Sequence, residues 1–117
     1  MEDRIYQLDD YQQQALRTNP STDFEKNITN AALGLCGESG EVADVIKKWR
    51  NQGHGLDSEK VVEELGDVMW YLSLAAHTLG YSLSEVATIN IEKLKRRYPN
   101  GFDPDKSINR KGEGEQK

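Results

Sequence analysis

Residues 59–79 read EKVVEELGDVMWYLSLAAHTL. At about 100° per residue, Val61, Leu65, Val68, Leu72, Ala75 and Leu79 fall on one a/d-like stripe, the pattern of an amphipathic helix. Asp57 or Ser58 can cap its start, and Gly80 is a natural terminator. Glu64, Asp67 and Tyr71 line the flank of the stripe. Upstream, residues 28–50 carry a second helical pattern with Ala31, Leu35, Val42, Val45 and Trp49 on one face. That pattern ends in NQGHG, where two glycines punctuate the chain. Glu38 falls inside the apolar face and Glu41 at its edge. An antiparallel pairing of the two helices sets the acids of ESGE (38–41) opposite those of ELGD (64–67).

Outside this pair, IYQLDDYQQQALR (5–17) predicts a short first helix, broken by TNPST. Thr22 and Glu25 have capping-box spacing and predict a restart near Phe24, and Ser82 and Glu85 repeat that spacing before a last helix reaching about Tyr98. Val61-Val62 is too short to compete as a strand, and no repeat of helix-pair length is present. The expected fold is all-α, a helical bundle forming one domain over 1–102. The polar stretch 103–117 is expected to be a flexible tail. A chain of 117 residues buries a modest fraction of its surface. Long helices packed in pairs leave an apolar face uncovered, so the core is expected to be completed by oligomerisation.

The formal charge is −5 and there is one cysteine, Cys36. An intramolecular disulfide and a cysteine-based metal site are thereby excluded. The polar, acidic opening MEDRIYQLDDYQQQ does not read as a signal peptide. Apolar runs fall short of a membrane span. A cytoplasmic protein without a membrane or duplex nucleic-acid partner is expected, since no Lys/Arg stripe stands out.

Acids three apart on a helix are most often solvated, and Asp44, Glu59 and Glu63 fit that reading. Glu38 does not, because a carboxylate within an apolar stripe needs a partner. Four clustered carboxylates need protonation, basic neighbours or a divalent cation. An all-oxygen set suits Mg2+, with Mn2+ as a substitute. A di-iron site of the ferritin type wants Glu-x-x-His, and neither His54 nor His77 stands in that relation. The last helix adds Asn90, interrupting a face made by Leu83, Ala87 and Leu94, with Lys93 and Arg97 on its flank. Asn90 is either a buried amide that fixes helix register or a ligand-facing one. Lys47 and Lys48 add charge near the end of the second helix. Basic groups beside bound metal hold polyphosphates, although Lys and Arg also suit helix C-termini. Trp49 and Tyr71 either stack on a base or pack in the core. Trp70 lies off its stripe and covers another helix or a subunit. Gly34, Gly37 and Gly40 follow one another at single turns, and Gly37 and Gly40 would allow close approach of a helix, metal or ligand. No Walker A or G-x-G-x-x-G pattern is present.

GLCGESGEVADVIKKW (34–49) followed by EELGDVMWYLSLAAHTLGYSLSEVATINIEKLKRRYPNGF (63–102) resembles the MazG-like all-alpha nucleoside triphosphate pyrophosphohydrolases. The resemblance covers roughly 28–102. It implies metal ligands at Glu38, Glu41, Glu64 and Asp67, and phosphate-side residues at Asn90, Lys93 and Arg97, with Lys47 or Lys48 as a further contact. It also implies a homodimer or homotetramer whose site often draws on more than one chain. The implied reaction is Mg2+-dependent hydrolysis of an NTP or dNTP to the monophosphate and pyrophosphate, by water attack at the α-phosphorus. Glu38 or Glu41 would position or deprotonate that water. A catalytically silent assembly or regulatory bundle and a phosphoribosyl-ATP pyrophosphohydrolase remain as alternatives.

Overall fold

The computed structural model describes residues 3–102 and 104–108. Its helices are α1 (Leu8–Leu16), α2 (Phe24–Asn51), α3 (Ser58–Thr78), α4 (Leu83–Arg97) and α5 (Pro104–Ile108). No strand occurs among the described residues; Pro99 and Gly101 form an isolated bridge. The chain divides into two compact units, Met1–Leu83 and Ser84–Lys117.

In the first unit α3 packs mainly on α2 and also on α1. Ala31, Leu74, Ala76 and Leu83 are its buried apolar residues. Local chemistry sets the ends of the helices. Asp57 accepts the Lys60 backbone N–H at 3.0 Å and so caps α3, as its position predicts. At the other end Gly80 takes φ 87°. Its N–H donates to His77 O at 2.9 Å while Tyr81 N–H donates to Ala76 O at 2.8 Å. This paired closure is the Schellman arrangement, which a residue without Cβ adopts freely.

Short α1 is held by a buried amide and by an indole. Gln12 Nε2 donates to Ser73 O at 3.1 Å and to Tyr81 O at 3.4 Å, and its Oε1 accepts from Leu83 N–H at 3.0 Å. Trp70 Nε1 donates to Ala15 O at 3.0 Å and Thr18 Oγ1 at 2.9 Å. Trp70 therefore covers another helix, one of the two roles its off-stripe position allows.

Three expectations are corrected. The helix expected over 28–50 is continuous from Phe24, and its cap is Asp23, which accepts Glu25 N–H at 3.1 Å, in place of Thr22. The Asp23 carboxylate sits one residue closer to the first turn. On α3, Leu65, Leu72 and Leu79 of the expected core stripe are exposed. The buried residues of α3 are instead Glu64, Ser73, Leu74 and Ala76, and Tyr71 lies against Gly34 of α2. Finally, Gly37 and Gly40 have open space where a Cβ would stand, whereas a Cβ on Gly34 would overlap the Tyr71 ring. The close approach belongs to Gly34.

The second unit contains α4 from Ser84 onward and α5. Tyr98 and Phe102 meet edge-to-face with ring centroids 5.4 Å apart. Of the stretch expected to be a flexible tail, Pro104–Ile108 is helical, and Asp103 and residues 109–117 lie outside the described residues.

Candidate metal centre

Glu38 projects from α2 one turn beyond Gly34, where the missing Cβ lets Tyr71 of α3 come close. That contact brings Glu38 beside the acids of α3. One carboxylate oxygen each from Glu38, Glu64 and Asp67 lies within 4.8 Å of the other two. Glu64 is buried, Glu38 half-buried and Asp67 exposed, so the cluster opens outward along Asp67. An open recess of about 350 Å³ begins there, lined by Glu38, Asp67, Trp70 and Tyr71. The two rings meet nearly perpendicular, 83°, with centroids 5.1 Å apart.

The electrostatics are those of a crowded acid cluster. Glu38 hydrogen-bonds Glu64, and this bond, more than burial or the nearby charges of Asp67, Glu64 and Glu41, raises the Glu38 pKa. Glu64 goes the other way: Lys60 and then Glu38 donate to it and hold its pKa down. Of the two, Glu38 is the group disposed to hold a proton and Glu64 the one disposed to accept the bond. Lys60 Nζ stands 3.0 Å from Glu64 Oε1. Tyr11 of α1 also feels the cluster, since burial and the Asp67 charge raise its pKa.

The donor set fits a hard divalent cation. All three ligand atoms are carboxylate oxygens, as Mg2+ and Mn2+ prefer. Bonds of about 2.1 Å put opposite oxygens about 4.2 Å apart. A span within 4.8 Å is thus close to what one ion needs, with small side-chain movements. Such an ion would offset the mutual repulsion of the three acids.

The other residues singled out in the sequence are spread more widely. Glu41 is exposed and stands outside the three-carboxylate group, although its charge reaches Glu38. Lys48 pairs with Asp44 at 2.9 Å, which lowers the Asp44 pKa, and Lys47 is exposed. Asp44 is therefore ion-paired and not merely solvated. Trp49 is 43% exposed near the end of α2, so it is not a core residue. Tyr71 lies in the recess. Asn90, Lys93 and Arg97 lie on α4 in the second unit. Asn90 is exposed, which removes the buried-amide reading, while Lys93 and Arg97 are half-buried.

The sequence reading missed Lys60, Trp70 as a wall of the recess, and Tyr11. Lys60 carried a usable signal, being one helical turn before Glu64. Tyr11 carried none, because its approach depends on how α1 docks.

The MazG nucleotide pyrophosphohydrolase domain family matches residues 26–102, and the chain belongs to that family. The Gene 37 protein of Mycobacterium phage L5 is 35% identical over 83 residues, spanning 68% of this chain and 73% of that protein. No solved structure matches the chain at a significant level. No helix among the described residues is long and apolar enough to cross a membrane.

Proposed function

We propose that the protein is a divalent-cation-dependent nucleoside triphosphate pyrophosphohydrolase, which converts an NTP or dNTP to the monophosphate and pyrophosphate. The observation that carries this reading is the convergence of Glu38, Glu64 and Asp67 oxygens within 4.8 Å from two helices. Membership of a nucleotide pyrophosphohydrolase family supports it.

Glu38, Glu64 and Asp67 hold the cation, and Glu41, one turn beyond Glu38, joins them or acts beside them. Bound Mg2+, or Mn2+ in its place, supplies Lewis acidity toward the triphosphate and toward water. Glu41 or Glu38 orients the attacking water and takes its proton. The water oxygen bonds to the α-phosphorus, the bond from that phosphorus to the bridging oxygen breaks, and pyrophosphate leaves. Phosphate contacts fall to Lys47 or Lys48 of α2 and to Asn90, Lys93 and Arg97 of α4. Tyr71, its ring fixed between Gly34 and Trp70, offers a stacking wall for a base. Trp49, with an exposed ring, is a second stacking candidate.

The reading includes a homodimer or homotetramer in a cytoplasmic setting, without membrane or duplex nucleic acid as partner. The outward row of Val62, Leu65, Met69, Leu72 and Leu79 supports self-association.

The test is a panel of NTPs and dNTPs with Mg2+ or Mn2+, with products resolved as pyrophosphate or orthophosphate. Pyrophosphate is expected, with turnover lost in Glu41→Gln at unchanged helical content. Orthophosphate as the first product would overturn the reaction, and unchanged turnover in Glu41→Gln would remove Glu41 from it.

A further inference from the structure

We propose that Lys60 is a resident counter-ion of the acid cluster, which a divalent cation displaces from Glu64 when it binds. The inference rests on the metal-centre reading of Glu38, Glu64 and Asp67. Lys60 is one turn before Glu64 on α3, and its Nζ lies 3.0 Å from Glu64 Oε1. The Glu64 side chain is 8% exposed and that of Lys60 is 44% exposed. The ammonium thus reaches inward from solvent to the most buried carboxylate of the three. It supplies there one of the positive charges that a cation would otherwise supply.

The two cannot share Glu64 without cost. A metal about 2.1 Å from that carboxylate and an ammonium 3.0 Å from it would put like charges about 5 Å apart. For charges of +2 and +1, even under water-like screening, that repulsion is worth about tenfold in affinity. Release is easy for Lys60. Its head group is already partly hydrated, and its four-carbon stem is flexible. A receiving carboxylate is also at hand: Glu63 Oε1 lies 3.7 Å from Nζ, is 68% exposed and is not one of the three converging acids. Lys60 therefore sets a threshold for cation loading and steadies the cluster below it.

Mn2+ alone is the probe, followed by electron paramagnetic resonance titration in the full chain, with thermal melts in parallel. Lys60→Met is expected to bind Mn2+ about tenfold more tightly than wild type, and Lys60→Arg to bind like wild type. Without metal Lys60→Met melts below wild type, and saturating Mn2+ closes the gap. A merely structural lysine would lower the melting temperature equally with and without Mn2+, which would overturn the proposal. Equal or weaker Mn2+ binding by Lys60→Met would overturn it as well. If wild type binds Mn2+ and Glu64→Gln does not, those results sink the counter-ion alone. If neither wild type nor Lys60→Met binds Mn2+, the metal centre falls with it.

Discussion

Gly34 and Gly37 occupy the same helix one turn apart, yet their surroundings oppose each other. A Cβ on Gly34 would enter the Tyr71 ring, whereas one on Gly37 would meet nothing within 4 Å. Gly34→Ala is expected to cost about 1–3 kcal/mol through overpacking and to push Tyr71 off the recess wall. Gly37→Ala is expected to gain about 0.5–1 kcal/mol from helix propensity. Urea denaturation of both variants checks the pair; similar shifts would mean that α2 and α3 do not approach at Gly34. At Glu38 the issue is protonation. Its pKa in the ion-free fold lies above the ordinary 4.5, so its stabilising contribution is present below that value and is lost as pH rises through the raised pKa. Glu64 is depressed, so its contribution is present above 4.5 and is lost as pH falls through the lowered pKa. In chelator, stability is expected to peak between the two pKa values. Glu38→Gln donates to Glu64 without titrating, and it should flatten the decline on the alkaline side. Denaturation midpoints across pH test this, and an unchanged decline would exclude Glu38 as its source.

At the level of elements, what was legible in the sequence is what local chemistry controls. Asp57 and Gly80 mark the ends of α3 by cap preference and by freedom at positive φ, and the structure uses both. The i, i+3 spacing of Glu64 and Asp67 puts both acids on one side of α3, and Glu38 stood out as a carboxylate in an apolar stripe. Periodicity gives the angles between side chains but not which side meets a neighbour. Hence Leu65 and Leu72 looked like core while the flank with Glu64 and Tyr71 turned inward. Tyr11 was illegible as a site residue for a related reason: its place depends on the docking of α1. At 9 residues, α1 is too short to persist alone in water. Its docking draws on Trp70 and on Gln12, and loss of Gln12 would strand the buried Leu83 N–H. Gln12→Ala is expected to cost about 1–3 kcal/mol and to release α1 before the α2–α3 pair unfolds. Hydrogen exchange at α1 amides should then quicken well before those of α3; parallel quickening would show that α1 and α3 unfold together.

For the molecule as a whole, a cation bound at the candidate metal centre would couple the stability of the fold to its ligand. Two long helices face each other across acids that repel one another, and the Glu38–Glu64 hydrogen bond and the Lys60 ammonium offset part of that repulsion. A divalent cation that binds the folded cluster and not the unfolded chain must raise stability by mass action. At a concentration a hundredfold above its dissociation constant the gain is about 2.7 kcal/mol. For a chain of this size that corresponds to about 10 °C in Tm. Thermal melts over a Mg2+ titration are expected to show that rise, logarithmic in free Mg2+ once the site is filled. Asp67→Asn removes the exposed ligand while leaving the Lys60–Glu64 and Glu38–Glu64 contacts in place, so it should fold normally and lose the slope. Non-specific screening by salt would instead raise both proteins alike, and Na+ at matched ionic strength would reproduce it. A Mg2+ slope retained in Asp67→Asn would place cation binding elsewhere on the acidic surface and remove the three converging carboxylates as its site.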